Sequence, residues 1–230
     1  MAAPNPQRGT PDDPHYALGF AVLLAALAGW VDAVGFVQWN GLYVSFMSGN
    51  STALGAASAT ADVPQILQVG GVILAFVAGV VCGELFARAA APRGRPLVLL
   101  LEALLLALAA VAILKVPARE PAAFLLAFAM GLQNASVHQA GGISVSLTYV
   151  TGTLVQMSRR IAAALWGHGP WSAAVPFLVL WLGLVSGAAA GALVVGRSAP
   201  AALGLAALFA LGLSGIIFTF GPRPTAAGAA

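Results

Sequence analysis

Long apolar stretches and short polar interruptions alternate along the chain. Six stretches are long and apolar enough, or nearly so, to cross a bilayer: residues 17–37, 66–87, 96–114, 121–137, 172–195 and 199–221. A spanning helix needs about 20 mostly apolar residues. Pro and Arg punctuate them, as from Arg88 to Pro96, Lys115 to Pro121 and Arg197 to Pro200. The fourth stretch turns polar from Gln133 onward. The runs are continuous, not the alternating ten-residue segments of a β-barrel. The pattern predicts an all-α fold, a polytopic transmembrane helix bundle of about six spans. Residues 1–16 read as a disordered N-terminal tail, 17–221 as one transmembrane domain and 222–230 as a C-terminal tail. The N-terminal tail does not read as a signal peptide, because Arg8 faces Asp12 and Asp13 and the apolar stretch that follows is too long for an h-region.

Two further segments, 42–60 and 145–166, are apolar but interrupted, so each could be a full span or a re-entrant element. Cytoplasmic loops carry an excess of Lys and Arg. With six spans and a cytoplasmic N-terminus, Arg8, Arg88, Arg93, Arg95, Arg159, Arg160 and Arg223 lie inside, and Lys115, Arg119 and Arg197 outside, a split of seven to three. If both interrupted segments also span, the split becomes six to four. The comparison favours six spans with both termini inside.

Composition changes the picture by exclusion. Of the 230 residues, 60% are hydrophobic and 7% charged. A soluble surface needs roughly 25–35% charged residues, and disorder needs low hydrophobicity with high charge. The net charge of +3 is too dispersed for a nucleic-acid partner. Cys82 is the single cysteine, so neither an intramolecular disulfide nor a cysteine metal cluster can form.

The two halves echo each other. Gly29-Trp30-Val31-Asp32-Ala33 precedes Gly131-Leu132-Gln133-Asn134-Ala135 by 102 residues, and Phe46-Met47-Ser48-Gly49-Asn50 precedes Tyr149-Val150-Thr151-Gly152-Thr153 by 103. Gly79 and Gly83 precede Gly183 and Gly187 by 104. Ordered landmarks with drifting offsets suggest a duplicated unit, repeat one at about 17–116 and repeat two at about 119–221. Three spans per unit would invert one copy relative to the other, an architecture common among secondary transporters; with eight spans the copies would be parallel.

The chemistry concentrates at few places. Ser48-Gly49-Asn50-Ser51-Thr52 combines a helix-breaking glycine with capping residues, and Thr151-Gly152-Thr153 repeats it. A half-helix starting at such a break would aim free N–H groups at a polar ligand; alternatively, small hydroxyl residues simply allow close helix packing. Asp32 lies within the first span, where an ionised carboxylate costs on the order of 3 kcal/mol or more unless it faces a polar interior. It could couple protons, hold a cation, or fix helices through a partner such as Asn134. Glu102 lies six residues into the third span and could instead reach the interface. Glu84 and Arg88 have the i,i+4 spacing of an interfacial pair. His138 could relay protons but reads more simply as a loop residue. Arg159-Arg160 reads as a topology anchor. Gly79 with Gly83, and Gly183, Gly187 and Gly191, form small-residue ridges for packing within the chain or across a homodimer.

The landmarks Gly29 to Ala33, Met47-Ser48-Gly49-Asn50, Gly131 to Ala135 and Tyr149 to Leu154 together resemble the YoaK family of bacterial inner-membrane proteins, over about residues 17–221. That family often has Met-Thr-Gly-Asn at the first motif; Ser48 replaces the Thr and keeps the hydroxyl. The resemblance implies a bacterial multi-pass protein of the cytoplasmic (inner) membrane and supplies neither a substrate nor a catalytic residue.

The leading functional expectation is a small-solute secondary transporter or permease. Asp32, Ser48, Gly49, Asn50, Asn134, Thr151, Gly152 and Thr153 would bind substrate where the two breaks meet, and protons would be a candidate coupling ion. The expected partners are the lipid bilayer and an unknown small solute, and no cofactor is expected. A non-transporting scaffold or accessory subunit is the alternative. An enzyme is not expected: pairing Ser48 with His138 lacks the usual small residues before the serine, Asp32 has no Asp partner in a facing span, and no His and carboxylate cluster suits a metal.

Overall fold

The structure, a computed structural model, describes residues 14–91, 93–116, 120–135 and 150–220. Eight α-helices follow in order: α1 (Pro14–Gln38), α2 (Met47–Ala59), α3 (Val63–Ala89), α4 (Gly94–Lys115), α5 (Glu120–Ala135), α6 (Val150–Leu165), α7 (Val175–Val195) and α8 (Ala199–Phe220). A 3-10 turn, Trp171–Ala174, leads into α7. Among the described residues, α1, α3, α4, α7 together with its 3-10 turn, and α8 are long and apolar enough to cross a membrane. The chain is thus a multi-pass membrane protein. Its long helices follow the apolar stretches to within three residues, apart from α7, where the 3-10 turn takes the first positions. The fourth stretch forms α5 as far as Ala135; residues 136 and 137 lie outside the described residues.

Two helices sit at the centre. Ala21, Leu24, Ala25, Leu27, Ala28, Val31 and Val34 bury α1, and α5 is buried nearly all round. The helices packed around them leave large apolar side chains exposed, among them Leu67, Leu74 and Leu85 on α3, Leu104, Leu108 and Leu114 on α4, and Leu193 on α7. Contiguous apolar surface on that scale would aggregate in water and marks contact with another apolar phase, here the lipid.

Burying apolar side chains against one another gains little when lipid is the alternative, so close approach of backbones has to hold such a bundle. Glycine supplies it at two interfaces. On α7, Gly183, Gly187 and Gly191 face the backbone of Val22, Ala26 and Trp30 of α1, so closely that a Cβ at Gly187 would stand 2.0 Å from the Ala26 carbonyl oxygen. Gly29 of α1 faces the Leu184 carbonyl in the same way. The second interface joins α3 to α5: Gly79 faces the Phe128 carbonyl, Gly131 the Phe76 carbonyl, and Gly71 the ring of Phe124. Residue numbers rise together at both contacts, so α1 and α7 run parallel, as do α3 and α5. These glycines are therefore used in contacts within one chain.

A third interface, between α4 and α8, runs the other way. Ser214 Oγ donates to the Pro96 carbonyl at 2.6 Å, Leu213 packs with Leu99, and the Arg93 guanidinium lies 5.8 Å over the Phe218 ring. The end of α8 thus meets the beginning of α4, and the two are antiparallel. Trp30 Nε1 of α1 donates to the Ala202 carbonyl of α8 at 2.9 Å, and Gln133 Nε2 of α5 to the Leu24 carbonyl of α1 at 3.3 Å. The short helices stay outside this frame, α2 packing on α3 and α6 on α7 and the 3-10 turn. Glu84 and Arg88 form the expected ion pair, at 3.8 Å.

Gly187→Val is expected to force α1 and α7 apart at a cost of about 1–3 kcal/mol or more, since its added atoms meet backbone that cannot yield. Gly204→Ala, where a Cβ meets nothing within 4 Å, should leave stability unchanged. Melting temperatures of the two variants in one detergent check the contrast.

Candidate functional site

The segment between α1 and α2 returns into the bundle. Asn40 and Gly41, at φ 49° and 94°, reverse the chain after Trp39. Such positive φ favours Gly and tolerates Asn. Leu42 and Val44 then lie against Gly35, where a Cβ would stand 3.0 Å from the Leu42 carbonyl oxygen. The segment therefore runs back along the last turns of α1, and α2 begins roughly 9 Å of helix rise below the end of α1, beside Asp32.

Non-helical backbone at that depth has to find hydrogen bonds inside the protein, and two predicted site residues provide them. Asp32 Oδ1 accepts from the backbone N–H of Val44 at 2.8 Å and of Ser45 at 2.7 Å, while Oδ2 accepts from the Ser45 hydroxyl. Asn50 is buried and reaches back to Tyr43: its Nδ2 donates to the Tyr43 carbonyl at 2.6 Å, and its Oδ1 accepts from the Tyr43 N–H at 3.2 Å. Gly49 makes room for the Phe46 ring, whose atoms would lie 2.7 Å from a Cβ there. Phe36, Tyr43 and Phe46 stack in sequence, with ring centroids 5.4 and 5.2 Å apart.

The glycine motif is thus a helix start and not a break: α2 runs through Gly49, and the interruption is the extended segment before it. Gly lowers helix propensity, but the first turn tolerates it because the N–H groups there lack i−4 partners in any case. Ser48 is exposed in that first turn. Thr151, Gly152 and Thr153 likewise open α6, with Thr151 exposed. Helices α2 and α6 do not touch, so the structure does not bring Ser48 and Asn50 against Thr151 and Thr153. Asn134 donates to the Met130 carbonyl of its own helix at 2.9 Å. His138 lies outside the described residues, and with it the pairing with Ser48 weighed from sequence.

Two participants were not legible. Ser45 joins Asp32 across 13 residues with no motif to announce it, and Tyr43 offers only backbone. Glu102 was noticed from its place in a span but not counted as a site residue; it is fully buried on α4, and among the described residues its carboxylate oxygens have no hydrogen-bond partner. A separate cavity of about 280 Å³ lies between α1, α7 and α8, lined by Ala26, Leu27, Trp30, Gly187, Leu205, Ala206 and Phe209. Among the described residues, its walls hold no ionisable group. Among the described residues, no three His, Cys, Asp or Glu side chains gather to hold a metal.

A family model described as "Protein of unknown function (DUF1275)" matches residues 20–216. The chain belongs to this family. It is also 37% identical, over 207 residues, to UPF0700 transmembrane protein RA0705 of Rhizobium meliloti (strain 1021), an alignment covering 87% of this chain and 86% of that protein. No solved structure matches. The match takes in all the long helices and both short ones, so the anchored segment of this DUF1275 chain lies within the family's common body.

Asp32→Ala would leave the Val44 and Ser45 N–H groups buried without acceptors, at about 1–3 kcal/mol for each group. Asp32→Asn keeps one acceptor oxygen and should lose less. The expected order of melting temperature is wild type, Asp32→Asn, Asp32→Ala, with faster proteolysis between Trp39 and Phe46 in the alanine variant.

Proposed function

We propose that the chain is a small-solute secondary transporter or permease built from two inverted repeats of three spans, each with a re-entrant helix. The observation that carries this reading is the pattern of helix directions. A two-fold axis in the membrane plane exchanges α1 with α5, α3 with α7 and α4 with α8. It pairs the α1–α7 contact with the α5–α3 contact, and it requires α4 and α8 to be antiparallel. The glycine contacts obey the same exchange, with one adjustment. Gly29 against Leu184 corresponds to Gly131 against Phe76, and Gly187 against Ala26 to Gly79 against Phe128. Gly79 therefore matches Gly187, 108 residues on, rather than Gly183 as the sequence spacing suggested. Helix α6 and the turn after it are longer than α2 and its turn, which supplies the extra helical turn.

Helix directions also sort the charges. Arg88, Arg93, Arg95, Arg159 and Arg160 fall at one end of the bundle, and Lys115 and Arg197 at the other, which supports six spans with cytoplasmic N- and C-termini by the positive-inside rule. On this reading α2 enters from outside and α6 from the cytoplasm. Each would present its first-turn N–H groups, at Ser48 and Gly49 and at Thr151 and Gly152, to a polar solute from its own side. One half, α1 with α7 and α8, rocking against the other, α5 with α3 and α4, would keep the glycine contacts and expose these half-sites in turn. Asp32 and Asn50 hold the entrance segment in shape and do not bind the solute directly.

With Cys82 replaced, single cysteines at Ser48 and Thr151 should react with an impermeant maleimide from opposite faces of sealed vesicles; labelling from one shared face would sink the inverted arrangement. Transport itself is tested by thermal stability against a panel of polar metabolites, followed by uptake into proteoliposomes. A solute at about 100 times its Kd adds about 2.7 kcal/mol, and that gain should fall away in the Ser48→Ala, Thr151→Ala double variant. If no solute shifts the wild type, the scaffold alternative replaces transport.

A further inference from the structure

Glu102 is fully buried, and among the described residues no donor reaches either of its carboxylate oxygens. Its surroundings are apolar above and below. One turn earlier Leu99 packs with Leu24 of α1 and Leu213 of α8, and one turn later Leu106 belongs to the cluster containing Leu126 and Met130 of α5 and Ala210 of α8. Glu102 therefore stands where α1, α4, α5 and α8 come together. Lys115 ends α4 and Glu120 begins α5, and Glu102 and Gln133 each lie roughly 20 Å of helix rise from those ends.

Among the described residues, no charge comes to meet it. Helix α8 has no titratable residue, and α5 has only Glu120, exposed at its start. On α3, Glu84 is paired with Arg88 and Cys82 is exposed. On α4 itself, Arg95 and Lys115 are exposed near the helix ends, and Arg93 caps the start over Phe218. On α1, Asp32 is engaged with Val44 and Ser45, and Tyr16 lies in the opening turn. An ionised carboxylate without a partner in such a place costs several kcal/mol. The neutral acid carries no such penalty.

We propose that Glu102 is a proton-binding site inside the bundle: its carboxyl group holds a proton while the α4–α8 interface is closed, and releases it to water when that interface opens. The bond broken is the carboxyl O–H, and the proton leaves to water on the side that opens. The inference rests on the two-half reading above, because α4 and α8 are the helices on which the halves would part. It also moves proton coupling from Asp32, whose lone pairs are occupied by the re-entrant segment, to a carboxyl group with nothing else to do.

Infrared difference spectroscopy of the full-length protein in lipid tests this without knowledge of the solute. At neutral pH, wild type minus Glu102→Gln should show the carbonyl stretch of a protonated carboxylic acid, shifting on exchange into deuterium oxide. Raising the pH should bleach that band reversibly before the protein unfolds. Glutamine is close to the neutral acid in shape and charge, so Glu102→Gln should melt at least as high as wild type. Absence of the band, or a lowered melting temperature in Glu102→Gln, would show an ionised, paired Glu102 and overturn the proposal. A band surviving until unfolding would overturn the release step. The band reports Glu102 whether or not the halves move, and the Ser48 and Thr151 labelling reports the halves whatever Glu102 does, so either reading can fail alone.

Discussion

Close approach of helix backbones is the constraint on which the rest of this structure depends. Lipid is as apolar as leucine, so the many Leu and Val side chains gain little by meeting each other rather than the bilayer. What distinguishes the folded bundle is contact at glycine, where a carbonyl occupies the space a Cβ would need. Gly187 against Ala26 and Gly79 against Phe128 fix α7 on α1 and α3 on α5. Once those pairs are set, the remaining long helices, α4 and α8, meet each other, and Ser214 and Pro96 complete the join.

The same solvent makes irregular backbone expensive, and this explains how the intramembrane polar residues are used. Asp32 and Asn50 are committed to the Tyr43–Ser45 segment because nothing else at that depth could satisfy its N–H and C=O groups. A carboxylate that looks catalytic or ion-binding by its position is here a substitute for missing strand or helix hydrogen bonds. Glu102 has no such employment among the described residues. The two carboxyl groups thus divide into an anchor and a candidate carrier, a distinction that composition and depth alone do not make.

Much of the fold was legible because hydropathy over a span length is a local property. Six apolar stretches, their punctuation by Pro and Arg, and the helical character of the two interrupted segments all follow from counting residues against bilayer thickness. The site was legible only in part. Asp32, Gly49 and Asn50 stood out as polar or small residues in apolar surroundings, and the structure brings them to one non-helical segment and the helix start that follows it. The motif at Gly49 read as both a break and a helix start; only the start is present, because a glycine is harmless in a first turn whose N–H groups have no helical partner. Ser45 was missed, because a hydroxyl next to a valine announces no bond to a residue a helix away. The meeting of the two motifs was expected from their similarity, yet α2 and α6 lie on different long helices and do not touch.

The sequence by itself determined the solvent, the approximate limits of the long helices, and the few positions where chemistry can reside, since each depends on side-chain hydropathy summed along the chain; it read about six spans, and among the described residues five helices are long and apolar enough to cross. Only the tertiary structure decided which helices pair and in which direction, that the glycine ridges are spent within one chain, and that Glu102 rather than Asp32 is the carboxyl group left without a hydrogen-bond partner among the described residues. The reason is physical. Pairing and hydrogen-bond satisfaction join atoms far apart in the chain, and glycine spacing alone does not say which carbonyl each glycine meets.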